Sequence, residues 1–165
     1  MTYPEARYLG ESGEVSATYR RTDHEPELVY PNGTRCHYLA TGALTRGLFG
    51  LYRWESPPQA GGPAPHFHRT FTESFYLLAG NIKIYDGRKW IDAQPGDFVH
   101  IPEGGIHGFK NDSDAPATLL IHFAPGAPRE AYFETNARLA RDGRLSDDAM
   151  ATFYREHDNY FVPET

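Results

Sequence analysis

Three histidines and one glutamate stand at spacings that could hold a metal ion. His66 and His68 flank Phe67, Glu73 follows shortly after, and His107 lies further along the chain. In a β-strand alternate side chains share a face, so His66 and His68 would point the same way. Neutral imidazole nitrogens and a carboxylate oxygen together suit a divalent first-row transition metal. We therefore predict that His66, His68, Glu73 and His107 bind one ion and leave room for water, oxygen or substrate.

Turn-forming residues surround these four in two groups, and the groups resemble the two sequence motifs of the cupin superfamily. The matching positions beside the histidines and the glutamate are Gly80, Gly96, Pro102, Gly104 and Asn111. One position departs from the first motif, because Ala60 stands where a glycine is expected. That position belongs to a turn and not to a ligand. The likeness is greatest over residues 47–126 and is closest to compact, single-domain bacterial cupins of the quercetinase type.

The elements that must position the four residues are short strands. Apolar segments bounded by turn signals such as Pro57-Pro58 and Asp86-Gly87 favour an all-β sandwich or barrel. The resemblance makes this an antiparallel cupin β-barrel, or jelly roll. The predicted strands are Cys36–Leu39, Leu48–Trp54, Phe71–Leu78, Ile82–Tyr85, Lys89–Ile91, Phe98–Ile101, Gly108–Lys110 and Ala117–Phe123.

Residues on either side of the strands differ in pattern. Residues 1–34 are polar and rich in Pro and Gly, which indicates an N-terminal arm with one or two edge strands. In residues 127–160 the apolar period becomes helical, with Pro128 in a first turn, Gly143 as a C-cap and Ser146 as the cap of a second helix. We predict one domain over 1–165: the arm, a barrel over 35–126, and one or two C-terminal helices that cover one side of it.

Composition narrows the classes of partner. The chain has 165 residues, a net charge of -6 and one cysteine, Cys36. No basic cluster suggests nucleic-acid binding, and no apolar run approaches the roughly 18 residues that a membrane span needs. A single cysteine and the absence of an apolar leader favour the cytoplasm. Because cupins of this type often pair through barrel edges, a homodimer is expected.

The same alternation predicts the surroundings of the ion. Phe71, Phe75 and Leu77 should face inward with Glu73, and Phe109 with His107, forming an apolar substrate pocket. His100 and His122 alternate with apolar neighbours, so they face either the solvent or the pocket. In the pocket they would orient ligands or act as acid and base.

The resemblance implies a metal-dependent enzyme, an oxidoreductase. The leading hypothesis is a dioxygenase that uses dioxygen on a small hydroxylated or enolic organic molecule, aromatic or not, with Glu73 as both ligand and catalytic base. The alternatives are a non-oxidative cyclase or isomerase of polyketide-like metabolites, and a non-catalytic metal-containing module that binds a small molecule. Iron, manganese, nickel, copper, cobalt and zinc remain open as the ion.

Overall fold

The protein is built from antiparallel β-strands followed by two helices. The computed structural model describes residues 2–164. Its strands are β1 (Leu28–Val29), β2 (Arg35–Ala40), β3 (Gly50–Ser56), β4 (His66–Phe67), β5 (Thr72–Ala79), β6 (Ile82–Tyr85), β7 (Trp90–Ala93), β8 (Phe98–Ile101), β9 (Gly108–Lys110), β10 (Ala117–Ala124) and β11 (Tyr160–Phe161). The helices are α1 (Arg129–Asp142) and α2 (Asp147–Glu156).

Three sheets make up the β-structure of residues 2–164. The largest has the strand order β1-β2-β3-β10-β5-β8, and smaller sheets have the orders β7-β6-β9 and β11-β4. Every pairing is antiparallel. Their hydrogen bonds do not run continuously around a closed barrel. The prediction of an antiparallel jelly-roll fold with C-terminal helices is nevertheless confirmed.

Side chains alternate strictly along the central strand β10. Leu119, Ile121 and Phe123 are buried, whereas Leu120 and His122 on the other face are only half-buried. The buried face joins a core rich in aromatic rings, to which Phe71, Phe75 and Leu77 of the neighbouring segment contribute. This alternation is what allows Glu73 of β5 to point into the molecule.

Both helices begin and end close to the positions that the sequence indicates. Pro128 was expected in the first turn of α1, but it is the N-cap residue, and the helix begins one position later at Arg129. Gly143 caps the end of α1, and the Ser146 hydroxyl accepts a hydrogen bond from the Ala149 N–H at the start of α2. Phe133 of α1 packs edge-on against Tyr52 of β3, so α1 lies over the core side of the large sheet.

The chain continues past α2 and returns to the histidine segment. Tyr160 of β11 pairs with Phe67 of β4, and Phe161 pairs with His66. The sequence patterns did not indicate this pairing. At the other end of the chain, β1 forms an edge of the large sheet, and its first residue, Leu28, lies within the segment assigned to the arm. Within residues 2–164, neither helix has the length and apolarity needed to cross a membrane.

Candidate metal centre

The four residues singled out from the sequence come together in one buried cluster. His66 belongs to β4, His68 follows that strand, Glu73 lies on β5 and His107 immediately precedes β9. The backbones of His66 and His107 form two mutual hydrogen bonds, each of 2.8 Å, which bring the two histidine segments side by side. Their candidate ligand atoms all lie within 4.8 Å of one another.

Backbone carbonyls fix the orientation of all three imidazoles. The Nδ1 atoms of His66 and His107 lie 2.9 Å from the carbonyl oxygens of Ala64 and Gly105. The Nδ1 atom of His68 lies 2.6 Å from the carbonyl oxygen of Asp158. A carbonyl oxygen can only accept, so each Nδ1 carries the proton and donates it. In the neutral ring Nε2 then keeps the lone pair that a metal ion needs.

Glu73 completes the cluster with a carboxylate. Its Oε2 atom lies 3.0 Å from Nε2 of His68 and 3.0 Å from Nε2 of His107. None of the four residues is more than 5% exposed. Three oriented imidazoles and one carboxylate, directed at a common point and shielded from water, fit the donor preferences of a divalent transition metal. The cluster could therefore hold such an ion.

The charges in the cluster balance one another in the protein without metal. Burial opposes ionisation of Glu73, but the attraction and hydrogen bonds of His107 and His68 hold its pKa well below the usual range. Burial likewise opposes protonation of His107, but Glu73 raises its pKa above the ordinary value. Burial lowers the pKa of His66 to about 3, an effect increased by its neighbour His107. The ionised carboxylate and the neutral His66 are in the states that metal binding requires.

A cavity of about 680 Å³ opens beside the cluster, and both His66 and Glu73 form part of its wall. Of the four apolar residues expected in the pocket, Phe109 lines the cavity. Phe71, Phe75 and Leu77 are buried on the face expected, but the wall of the cavity does not include them. They pack behind the site, where the ring of Phe71 lies 4.3 Å from that of His68. A contact between these three side chains and a substrate therefore stays a prediction.

His100 and His122 lie away from the candidate metal centre. Because Ile101 and Ile121 fill the core face of their strands, both histidines point to the outer face of the large sheet. There Nδ1 of His100 lies 3.0 Å from the Ser74 hydroxyl, and the two histidines line a separate cavity of about 470 Å³. A pocket role for His100 and His122 beside the metal is thus not supported by their positions.

Sequence patterns missed most of the remaining cavity wall. Trp54 and Phe133 contribute aromatic surface, and Arg129 and Asn136 contribute polar groups. Arg129, Phe133 and Asn136 all belong to α1. Only the packing of that helix against the sheet shows that they line the cavity. The Asp158 carbonyl that orients His68 was missed for a similar reason, since no local signal links residues so distant in the chain.

A known family model matches the central part of the chain. The family model described as "Cupin domain" matches residues 52–123, which include all four residues of the cluster. Quercetin 2,3-dioxygenase from Bacillus subtilis is 34% identical over 104 residues, which are 62% of this chain. The aligned part is only 30% of that enzyme's length.

Solved structures show the same fold. A predicted oxalate decarboxylase from Thermotoga maritima superposes with a TM-score of 0.58 at 19% identity, over 66% of this chain and 99% of that one. A polyketide cyclase from Streptomyces resistomycificus superposes with a TM-score of 0.53 at 24% identity, over 66% of this chain and 78% of that one. At such identities the likeness concerns the fold alone.

Proposed function

Since the chain belongs to the cupin superfamily, we propose that it is a metal-dependent dioxygenase acting on a small hydroxylated or enolic organic molecule. The observation that carries the proposal is the buried set of His66, His68, Glu73 and His107 beside a cavity whose lining is mainly apolar. The similarity to quercetin 2,3-dioxygenase supports the choice of reaction. Because the chain corresponds to less than a third of that enzyme, the reaction and its substrate are proposals and not inherited properties.

Each residue of the cluster has a defined part in this proposal. His66, His68 and His107 hold the ion through Nε2, and their Nδ1 hydrogen bonds keep the rings in place. The ion, when bound, supplies Lewis acidity or redox chemistry at the cavity wall. Glu73 belongs both to the cluster and to the wall, so its carboxylate is placed to accept a proton from a substrate hydroxyl. Trp54, Phe109 and Phe133 restrict the access of water.

Metal content is the first test. Untagged protein, purified without added chelator, is measured by elemental mass spectrometry together with His66→Ala and His100→Ala variants. We expect about one equivalent of a transition metal in the wild type, as for other sites of this ligand type, and little in His66→Ala. His100→Ala is the matched control, since it removes an imidazole from the outer face of the sheet and should keep the metal. Equal metal in all three proteins, or none even after reloading, would contradict the proposal.

Oxygen uptake is the second test. Metal-loaded protein is assayed with flavonols, diketones and catechols, in air and under anaerobic conditions. Uptake that requires both substrate and His66 supports a dioxygenase. Turnover that persists without oxygen would contradict the dioxygenase and identify the non-oxidative cyclase or isomerase. Binding without turnover in either atmosphere would identify a non-catalytic binding module.

A further inference from the structure

The cavity contains a buried cation that the proposed metal chemistry does not use. Arg129, the first residue of α1, is 4% exposed, and its side chain forms part of the same wall as His66 and Glu73. Taking a guanidinium out of water is costly unless its charge and its N–H groups find partners. The partners of Arg129 therefore show whether it has a structural role alone.

The hydrogen bonds of Arg129 go only to neutral oxygens. Its Nη1 donates to the carbonyl oxygen of His157 at 2.8 Å, and its Nη2 donates to Oδ1 of Asn159 at 3.4 Å. Its Nε is buried and has no partner, and the Nδ2 atom of Asn159 beside it is also buried without a partner. Among residues 2–164 no carboxylate forms a salt bridge with Arg129. A guanidinium has five N–H donors, so most of the donors of Arg129 remain for another group.

The surroundings hold the guanidinium in place without neutralising it. Its central carbon lies 4.2 Å from the ring centroid of Tyr132 and 5.2 to 5.5 Å from those of Phe71, Phe123 and Phe133. Aromatic faces attract a cation but do not remove its charge. Arg129 is thus a fixed positive charge with spare donors in the cavity wall that also contains His66 and Glu73, and the Glu73 carboxylate attracts it without forming an ion pair.

We propose that Arg129 binds a carboxylate group of the substrate while the substrate's hydroxyl or enol faces the metal cluster. A carboxylate matches the planar fork of donors and the single charge of a guanidinium. The aromatic residues in the same wall, among them Trp54 and Phe109, suit an aromatic or otherwise apolar body. The substrate class is then a small aromatic or enolic carboxylic acid. This inference rests on the proposed function for the role of the metal, but the binding of a carboxylate by Arg129 can be measured without it.

A pair of probes that differ only in charge tests the proposal. 2-Naphthoate and 2-naphthamide share a bicyclic aromatic body that the cavity can accommodate, and only the first carries a carboxylate. Their affinities are measured by calorimetry for wild type, Arg129→Gln and Arg129→Lys, with metal-free and metal-loaded protein. We expect wild type to prefer naphthoate by about tenfold to a hundredfold, the range for hydrogen bonds to a charged group. In Arg129→Gln the preference should disappear, whereas Arg129→Lys should keep part of it.

A structural role alone would give a different result. If Arg129 only ties α1 to residues 157 and 159, Arg129→Gln would unfold more readily, and the choice between naphthoate and naphthamide would be the same as in wild type. That outcome, or equal affinity of wild type for both probes, would overturn the proposal.

A measurement on wild-type protein covers the case in which the Gln variant does not fold. The ¹⁵N resonance of the Arg129 Nε is assigned by its absence in Arg129→Lys and followed during titration with each probe. It should move with naphthoate and not with naphthamide, and no shift with naphthoate would overturn the inference. These measurements also use metal-free protein. They can therefore show carboxylate binding by Arg129 even when the metal and oxygen assays contradict the proposed function, and they can exclude it even when those assays support that function.

Discussion

Removing the Asp158 side chain should weaken both the fold and the candidate metal centre. The Asp158 carboxylate accepts hydrogen bonds from the backbone N–H of Arg69 at 2.9 Å, from that of Thr70 at 2.8 Å and from the Thr70 hydroxyl at 2.7 Å. The carbonyl of the same residue orients His68. Asp158 therefore connects the segment after α2 to the loop that carries a candidate ligand.

The expected loss can be worked out from these contacts. A half-exposed carboxylate that caps backbone N–H groups contributes roughly 1 to 2 kcal/mol. Asp158 also has a φ of 56°, a left-handed conformation that aspartate tolerates better than alanine, at a difference of about 1 kcal/mol. Asp158→Ala should lower the free energy of unfolding by about 2 to 3 kcal/mol. Asp158→Gly loses the carboxylate but accepts the backbone conformation, so it should lose about 1 kcal/mol less.

Urea unfolding of metal-free protein and competition with a chromophoric chelator measure the two effects. In Asp158→Ala the backbone carbonyl of residue 158 can still accept from His68, but the segment after α2 that carries it is held less firmly. Metal affinity should therefore fall about tenfold. Glu156→Ala is the control, since it removes an exposed acidic side chain two positions away. Loss of stability with unchanged metal affinity would refute the reasoning and show that the β4–β11 pairing alone positions the carbonyl.

Two further predictions concern close packing and pH. Gly62→Ala should destabilise the fold by about 3 kcal/mol or more, because a Cβ there would lie 1.7 Å from the Phe109 carbonyl oxygen, whereas Gly61→Ala meets nothing within 4 Å and should unfold like wild type. Burial raises the pKa of the Cys36 thiol. As the pH rises, this thiol therefore ionises in the unfolded chain before it does so in the folded protein. Its ionisation favours unfolding, so the free energy of unfolding is unaffected below about pH 8.5 and falls above it. Between pH 7.5 and 9.5, urea unfolding should therefore show wild type losing about 1.4 kcal/mol more than Cys36→Ala; equal losses would contradict the assignment.

Local patterns predicted the strand that carries Glu73 and the strand that His107 precedes, but the two-residue strand β4 was not among the predicted strands. Strand alternation identifies the common direction of His66 and His68 and the inward face of Glu73, since the period of a strand depends on neighbouring residues only. The cap residues Gly143 and Ser146 likewise signal their helix ends through nearby backbone groups. These features could be read from the chain because their causes lie within a few residues.

The features that the sequence did not reveal depend on distant contacts. β11 has only two residues, and its pairing with β4 joins segments more than ninety positions apart. Inward alternation shows that Phe75 is buried, but whether it lines the cavity depends on where α1 packs. The same helix brings Arg129 into the wall, although nothing in the pattern around Pro128 distinguishes that arginine from those on the surface.

The link from His68 to Asp158 also has a consequence for the order of events during synthesis. All four candidate ligands are synthesised before residue 158, and His66 and His107 find their carbonyl partners two positions away in the chain. His68 must wait for a carbonyl ninety positions later. On a growing chain the donor atoms therefore appear well before the last of them is oriented, and the same final segment brings the two oxygens that hold Arg129. The nascent chain consequently passes through a stage at which it carries every candidate ligand but lacks part of the frame that directs them.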